Sequence, residues 1–224
     1  MQDSIEKAWS GLYNLHKGET CLVIGNGKSL AEETNYFLSS YPSFGTNRIY
    51  LKDGFVPNYY VCINELVARQ YKEDIECLDT VKFVTDKVEI GGLVRQIPLH
   101  SGYLMAPSKE PGKIIYEGNT VTYVCLQLAY WMGFSTVLLV GVDHSYKFAG
   151  APHQELVAAG ADPNHFDPGY FSDNKTWNAP DLEGSEKAYR IAKRVFEQDG
   201  RAIINITKGS ALDVFEKDED YGEP

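Results

Sequence analysis

Apolar and polar positions along this chain follow two periods in turn. Cys21-Leu-Val-Ile24 is a short unbroken apolar run ending in Gly25-Asn-Gly27, the pattern of a buried strand entering a tight turn. Residues 44–51, 58–63, 81–84, 136–140 and 202–206 predict further strands, with 136–140 the most apolar. Helical spacing occupies residues 4–16, 29–40, 65–77, 120–131 and 183–198. The 120–131 helix is the clearest: Val121, Val124, Cys125, Leu128 and Met132 share a spacing, with Asn119 as N-cap and Gly133 just past the end. Two segments resist both periods. Residues 86–113 are irregular, with three Pro and four Gly. Residues 144–181 are rich in Gly, Pro, Asp, Asn and aromatics, the composition of a lid or binding loop.

Strands alternating with helices predict an α/β fold: a Rossmann-like, mostly parallel sheet with helices on both faces and a long lid insertion. At 224 residues the chain reads as a single domain, 1–224, carrying the lid segment 144–181. In such sheets ligands sit at the carboxyl ends of strands near the topological switch point. That rule selects the turns after Ile24, Ile63 and Val140.

Composition narrows the function classes. A net charge of −10 opposes nucleic-acid and anionic-membrane partners, both of which select for excess Lys and Arg. No apolar run approaches the ~20 residues of a membrane span. The acidic stretch 216–224 reads as disordered. Cys21, Cys62 and Cys125 lie in apolar runs and no CxxC pair occurs, so the thiols are expected to be reduced and the location cytoplasmic.

Candidate chemistry gathers at the strand ends. Gly25-Asn26-Gly27-Lys28-Ser29-Leu30 places glycines after a strand and before a helix, where backbone amides meet a phosphate or ribose. It lacks the third Gly of GxGxxG, which Leu30 replaces, and the leading Gly of a Walker A loop, which Leu22 replaces. Asn47 and Arg48 follow the second strand. Gly118, Asn119 and Thr120 open the strongest helix. Gly141 and Asp143 follow the most apolar strand, Asp143 being suited to a ribose hydroxyl, a magnesium ion or a base. In the lid, His153 and His165 are general-base candidates. The plain alternatives are a turn, helix caps, a solvated Arg and packed aromatics. The five His show no zinc spacing, so no zinc site is expected, and no cofactor is assigned beyond magnesium if the reaction is diphosphate transfer.

Taken in order, Gly25-Asn-Gly27-Lys-Ser29-Leu30, Thr46-Asn47-Arg48-Ile-Tyr50, Gly118-Asn119-Thr120, Gly141-Val-Asp143-His144, Asn164-His165-Phe166 and Ile204-Asn205-Ile-Thr207-Lys-Gly209 resemble the MptE-like family, over about residues 21–215. The resemblance implies kinship with archaeal 6-hydroxymethylpterin diphosphokinases and with bacterial sialyltransferases of family 42. It implies a transferase with a nucleotide or nucleotide-sugar partner, most closely a glycosyltransferase. Diphosphate transfer from ATP with magnesium, or nucleotide binding without turnover, are the alternatives. Carried over by position, His165 would be the base, and Asn47 and Asn64 would contact the donor. Asn119 and Thr120 would face the base or the transferred group, and Tyr170 the phosphate. Tyr116 stands where those sialyltransferases carry Arg, which removes a partner for a sialic-acid carboxylate. Asn64 stands where many family members carry Asp, which weakens a two-carboxylate magnesium site. Oligomeric state stays open.

Overall fold

A computed structural model describes residues 9, 11–92, 94–105, 114–147, 150–171 and 174–221. In chain order the elements are β1 (Thr20–Ile24), a 3-10 turn (Lys28–Glu32), α1 (Asn35–Leu38), β2 (Ser43–Thr46), a second 3-10 turn (Ile49–Leu51), β3 (Tyr59–Cys62), α2 (Glu65–Gln70), α3 (Lys72–Cys77), β4 (Val81–Thr85), β5 (Val94–Ile97), β6 (Leu99–His100), β7 (Ile115–Tyr116), α4 (Val121–Trp131), β8 (Thr136–Val140), β9 (Glu155–Val157), β10 (Thr176–Asn178), α5 (Leu182–Gln198), β11 (Ala202–Asn205) and β12 (Glu216–Lys217).

Eight strands form one sheet in the order β12-β11-β8-β1-β2-β3-β4-β5. Every neighbouring pair is parallel. The unbroken apolar runs explain this, because strands covered on both faces carry no polar side. Cys21 and Val23 of β1, with Val137 and Leu139 of β8, join the core under α4 and α5. Leu22, Ile24, Leu138 and Val140 join the core on the other face, with Leu38, Val67, Ile75 and Tyr170. Helices therefore cover both faces, as the sequence predicts. From Thr122 to Trp131 every residue of α4 is buried, so its spacing marks a helix enclosed on all sides.

Several boundaries differ from the sequence expectations. Residues 4–8 and 10 of the first expected helix lie outside the described residues. From Gly11 the chain is a series of turns, with positive φ at Gly11, Asn14 and Gly18 ending any helix there. The 29–40 helix is split: Glu33 is extended (φ −75°, ψ 135°), and the Thr34 side chain caps Phe37 afresh. The strand expected over 44–51 stops at Thr46, because Asn47 adopts φ 48°. The 65–77 helix breaks at Tyr71 (φ −122°, ψ 30°). Residues 94–97, expected to be irregular, form the sheet's outer strand against β4. The acidic stretch expected to be disordered contributes β12, which pairs with β11. Residues 144–181 carry a small antiparallel hairpin of β9 and β10. Among the described residues no helix is long and apolar enough to cross a membrane.

Candidate functional site

The chain runs outward from β1 to β5, returns to β8 on the other side of β1, and continues to β11 and β12. The switch point therefore lies between β1 and β8, and the loops leaving their carboxyl ends stand against each other. Only glycine allows the approach. A Cβ on Gly25 would lie 2.3 Å from the Gly141 carbonyl oxygen, and one on Gly27 would lie 2.4 Å from the Asp143 carboxyl carbon. Gly141 itself has φ 67°. The amides of Gly25 and Gly27 donate to the Val140 and Gly141 carbonyls, both at 2.8 Å. This corrects the expectation of a phosphate cradle at those two positions, since their N–H groups extend the sheet pairing instead. Asp143 accepts from the Ser29 hydroxyl and, at 3.2 Å, from the Ser29 amide. Ser29 is thus a buttress of the loop.

Above this crevice lies a cavity of about 490 Å³, within the range of small-molecule sites. Gly25, Asn26, Gly27, Asn47, Asn64, Asn119, Thr120, Gly141, Asp143, His165 and Tyr170 line it, so the loop after β1 and the start of α4 share one hollow. Three expected residues do not line it. Ser29 lies behind Asp143. Gly118 (φ 54°) forms the turn beneath α4, where a Cβ would lie 2.2 Å from the Tyr123 ring. Arg48 fastens residues 169–170: its guanidinium donates to the Tyr170 carbonyl and, at 3.1 Å, to the Gly169 carbonyl, and lies 3.9 Å from the Tyr71 ring centroid. The Arg48 amide donates to the Tyr170 hydroxyl at 3.2 Å. Tyr170 is buried, so the hydroxyl expected to meet a phosphate is held by the fold.

Helix amino-termini open onto the cavity. Thr120 caps α4 by accepting from the Thr122 amide (3.3 Å), which corrects the assignment of that cap to Asn119. Asn119, at φ 59°, donates instead to Asp181 (2.8 Å) and to the Tyr103 hydroxyl (3.0 Å). Asp181 caps α5 by accepting from the Gly184 amide at 2.8 Å. Asn64 caps α2 through the Leu66 and Val67 amides, and its own amide donates to Asn178 of the lid hairpin at 3.2 Å. The long helices α4 and α5 each bring the positive end of a peptide dipole to the cavity wall.

His165 is held from three sides. Its Nδ1 lies 2.8 Å from Asp162 Oδ2, its ring stacks on Tyr170 at 3.8 Å between centroids and 5° between planes, and its backbone pairs with Gly27. Burial pushes the Asp162 carboxyl up. Hydrogen bonds from the His165 ring and from the Asn164 and His165 amides outweigh that and hold it below its ordinary value. A carboxylate beside Nδ1 favours the neutral tautomer with its proton on Nδ1 and its lone pair on Nε2. A second histidine, His144, lines the same cavity beside Glu186. His144 Nε2 lies 3.4 Å from Glu186 Oε1, and burial pushes this imidazole down despite Glu186.

Sequence reading misses Asp162, Asp181 and Glu186. Asp162 precedes His165 by three residues, a spacing that carries no meaning until the loop's fold is known. Among the described residues no group of three or more His, Cys, Asp or Glu is placed to hold a metal ion. Asp143, the carboxylate at the crevice floor, has both oxygens engaged by Ser29.

These features define a class: a Rossmann-like α/β protein with a cleft at its switch point. Residues 3–148 match the family model described as 6-hydroxymethylpterin diphosphokinase MptE-like, and the chain belongs to that family. No curated protein matches the sequence. The fold is similar to that of the MAf glycosyltransferase from Magnetospirillum magneticum AMB-1, at TM-score 0.58 and 15% identity, over 93% of this chain. The chain spans 35% of that glycosyltransferase. The sialyltransferase CstII from Campylobacter jejuni, solved in complex with the substrate analogue cytidine-5′-monophosphate, matches at TM-score 0.46 and 12% identity, over 90% of this chain and 85% of that one.

Proposed function

We propose that this chain is a transferase that takes a group from a nucleotide-activated donor, with glycosyl transfer as the reaction. The observation that carries this reading is the His165–Asp162 pair on a cavity that also receives the amino-termini of α4 and α5. The donor's anionic part is drawn to the helix ends, whose dipoles favour negative charge. His165, its Nδ1 proton held by Asp162, accepts the proton of an acceptor hydroxyl at Nε2. The acceptor oxygen then bonds to the transferred carbon while the bond from that carbon to the nucleotide phosphate breaks. Asn164, His165, Tyr170 and Trp177 of the loop after β8 line the cavity and limit the water that competes for the donor.

The test is turnover with a CMP-activated nonulosonic acid and a panel of hydroxyl acceptors. His165→Ala is expected to lower it by about 10²–10⁴-fold, the usual size of a general-base effect. Turnover unchanged by that substitution contradicts the assignment.

A second reading, diphosphate transfer from ATP, has the family match in its favour. We derive no step through magnesium. ATP consumption strictly dependent on magnesium, with no turnover of a CMP-sugar, would select this second reading.

A further inference from the structure

The geometry points to Arg48 and Tyr170 as positioning residues: together they fix the place of the base His165 relative to the sheet, in contrast to the donor contacts expected of them from the sequence. This deepens the functional reading above and rests on its assignment of His165. The argument starts from what Asp162 cannot do. It lies three residues before His165 in the same loop, so it orients the ring but travels with it. The place of the ring depends on ties to the sheet. One tie is to the loop after β1: His165 pairs with Gly27, and the Phe166 amide donates to the Asn26 carbonyl at 3.0 Å. The other runs through Tyr170, whose ring stacks on the imidazole at 3.8 Å between centroids and 5° between planes.

Tyr170 is held at both ends. Its hydroxyl accepts from the Arg48 amide at 3.2 Å. Its carbonyl accepts from the Arg48 guanidinium and, at 3.5 Å, from the Tyr71 hydroxyl. Arg48 in turn is tied to rigid structure. It follows Asn47, whose φ of 48° ends β2, an interior strand of the sheet. Its Nε donates to the Tyr50 hydroxyl at 3.1 Å, and its guanidinium lies 3.9 Å from the Tyr71 ring centroid. Tyr71 marks the break between α2 and α3, and the broken helix sets that ring against Arg48. A planar guanidinium donates in its plane and stacks on an aromatic face at once, which an ammonium does not. Arg48 does not line the cavity, so its reach to the chemistry is through Tyr170. The Tyr170 ring adds an effect of its own. When His165 takes the acceptor proton it becomes a cation, and the negative face of an aromatic ring attracts a cation.

The experiment measures kcat and KM of the whole chain in the CMP-sugar assay above. The variants are Arg48→Ala, Arg48→Lys, Tyr170→Leu and Tyr170→Phe, each first shown to be folded by its thermal unfolding. In the same proteins the ring protons of His165 are followed by NMR, since the Tyr170 face shifts them upfield. Arg48→Ala is expected to lower kcat by up to about 10²-fold at little-changed KM, the cost of displacing a reacting group by about 1 Å, and to move the His165 ring protons downfield. Arg48→Lys should restore neither. Tyr170→Leu should lower kcat by about 2- to 30-fold, the worth of a ring face against a cation. Tyr170→Phe, which keeps the ring, should recover most of that loss. If Tyr170→Leu does not fold, the two Arg48 variants decide. A rise in KM that Arg48→Lys reverses marks Arg48 as a contact for the donor's anion and overturns the inference. So do His165 ring protons unmoved in Arg48→Ala, or a Tyr170→Phe protein as impaired as Tyr170→Leu. No turnover by the wild type removes the functional reading, and the His165 ring protons then decide alone whether Arg48 places that ring.

Discussion

His165 Nδ1 and Asp162 Oδ2 are 2.8 Å apart, three residues from each other in sequence, with the buried Asp162 beside a half-buried His165 that lines the cavity. An Asp in this relation fixes a histidine's tautomer and orientation. Asp162→Asn is expected to lower turnover by as much as about 10⁴-fold, the effect of losing such an orienting carboxylate. The measurement is kcat and KM separately: a fall in kcat at little-changed KM fits orientation, and a rise in KM alone does not.

The same pair makes stability depend on pH. Asp162 is held below its ordinary value in the folded chain, so its contribution is complete above the unfolded carboxylate value of about 3.9 and disappears as pH falls through the lower folded value. Chemical denaturation of the wild type and of Asp162→Asn should therefore show a gap near neutrality that narrows as pH falls below about 4. A gap constant across that window would show that the carboxylate's charge has no part in holding the segment.

Gly25→Ala drives a methyl group to 2.3 Å from the Gly141 oxygen, a backbone atom that moves only if β1 and β8 part. The expected loss is about 1–3 kcal/mol or more, the cost of overpacking a close-fitted interior. Urea unfolding measures it, and an unchanged midpoint would mean that the two loops are not in contact.

Arg48→Ala removes the guanidinium from the Gly169 and Tyr170 carbonyls and from the Tyr71 face. Amides of residues 165–171 should exchange faster, by an amount corresponding to about 1–3 kcal/mol of local stability. Strand β1 should keep its protection. Hydrogen exchange followed by mass spectrometry separates this local loosening from global unfolding.

Much of this architecture is legible in the chain, for a definite reason. Cys21–Ile24 and Val137–Val140 are apolar on every residue, which identifies strands with both faces buried. Once those strands are placed, the rule of carboxyl ends leads to Gly25–Gly27 and Gly141–Asp143. What stays hidden depends on contacts distant in sequence. Residues 94–97 and 216–217 become strands only because β4 and β11 offer open edges. Nothing local tells Tyr71 to break a helix, or tells Thr120 to take the cap from Asn119. The roles of Gly25 and Arg48 invert for the same reason. Each reads as a ligand contact along the chain, and each is taken up by a partner about 120 residues away: Gly25 by Gly141, and Arg48 by the carbonyls of 169–170.

The central claim is that the loop after β1, the start of α4 and the His165 segment jointly enclose one nucleotide. Hydrogen exchange of the whole chain with and without saturating nucleoside monophosphate tests it most directly. The account predicts slowed exchange in residues 25–29, 117–122 and 165–170 together, with a thermal stabilisation of about 2.7 kcal/mol at one hundred times Kd. Protection confined to some other surface, or no protection with any nucleotide, would contradict it.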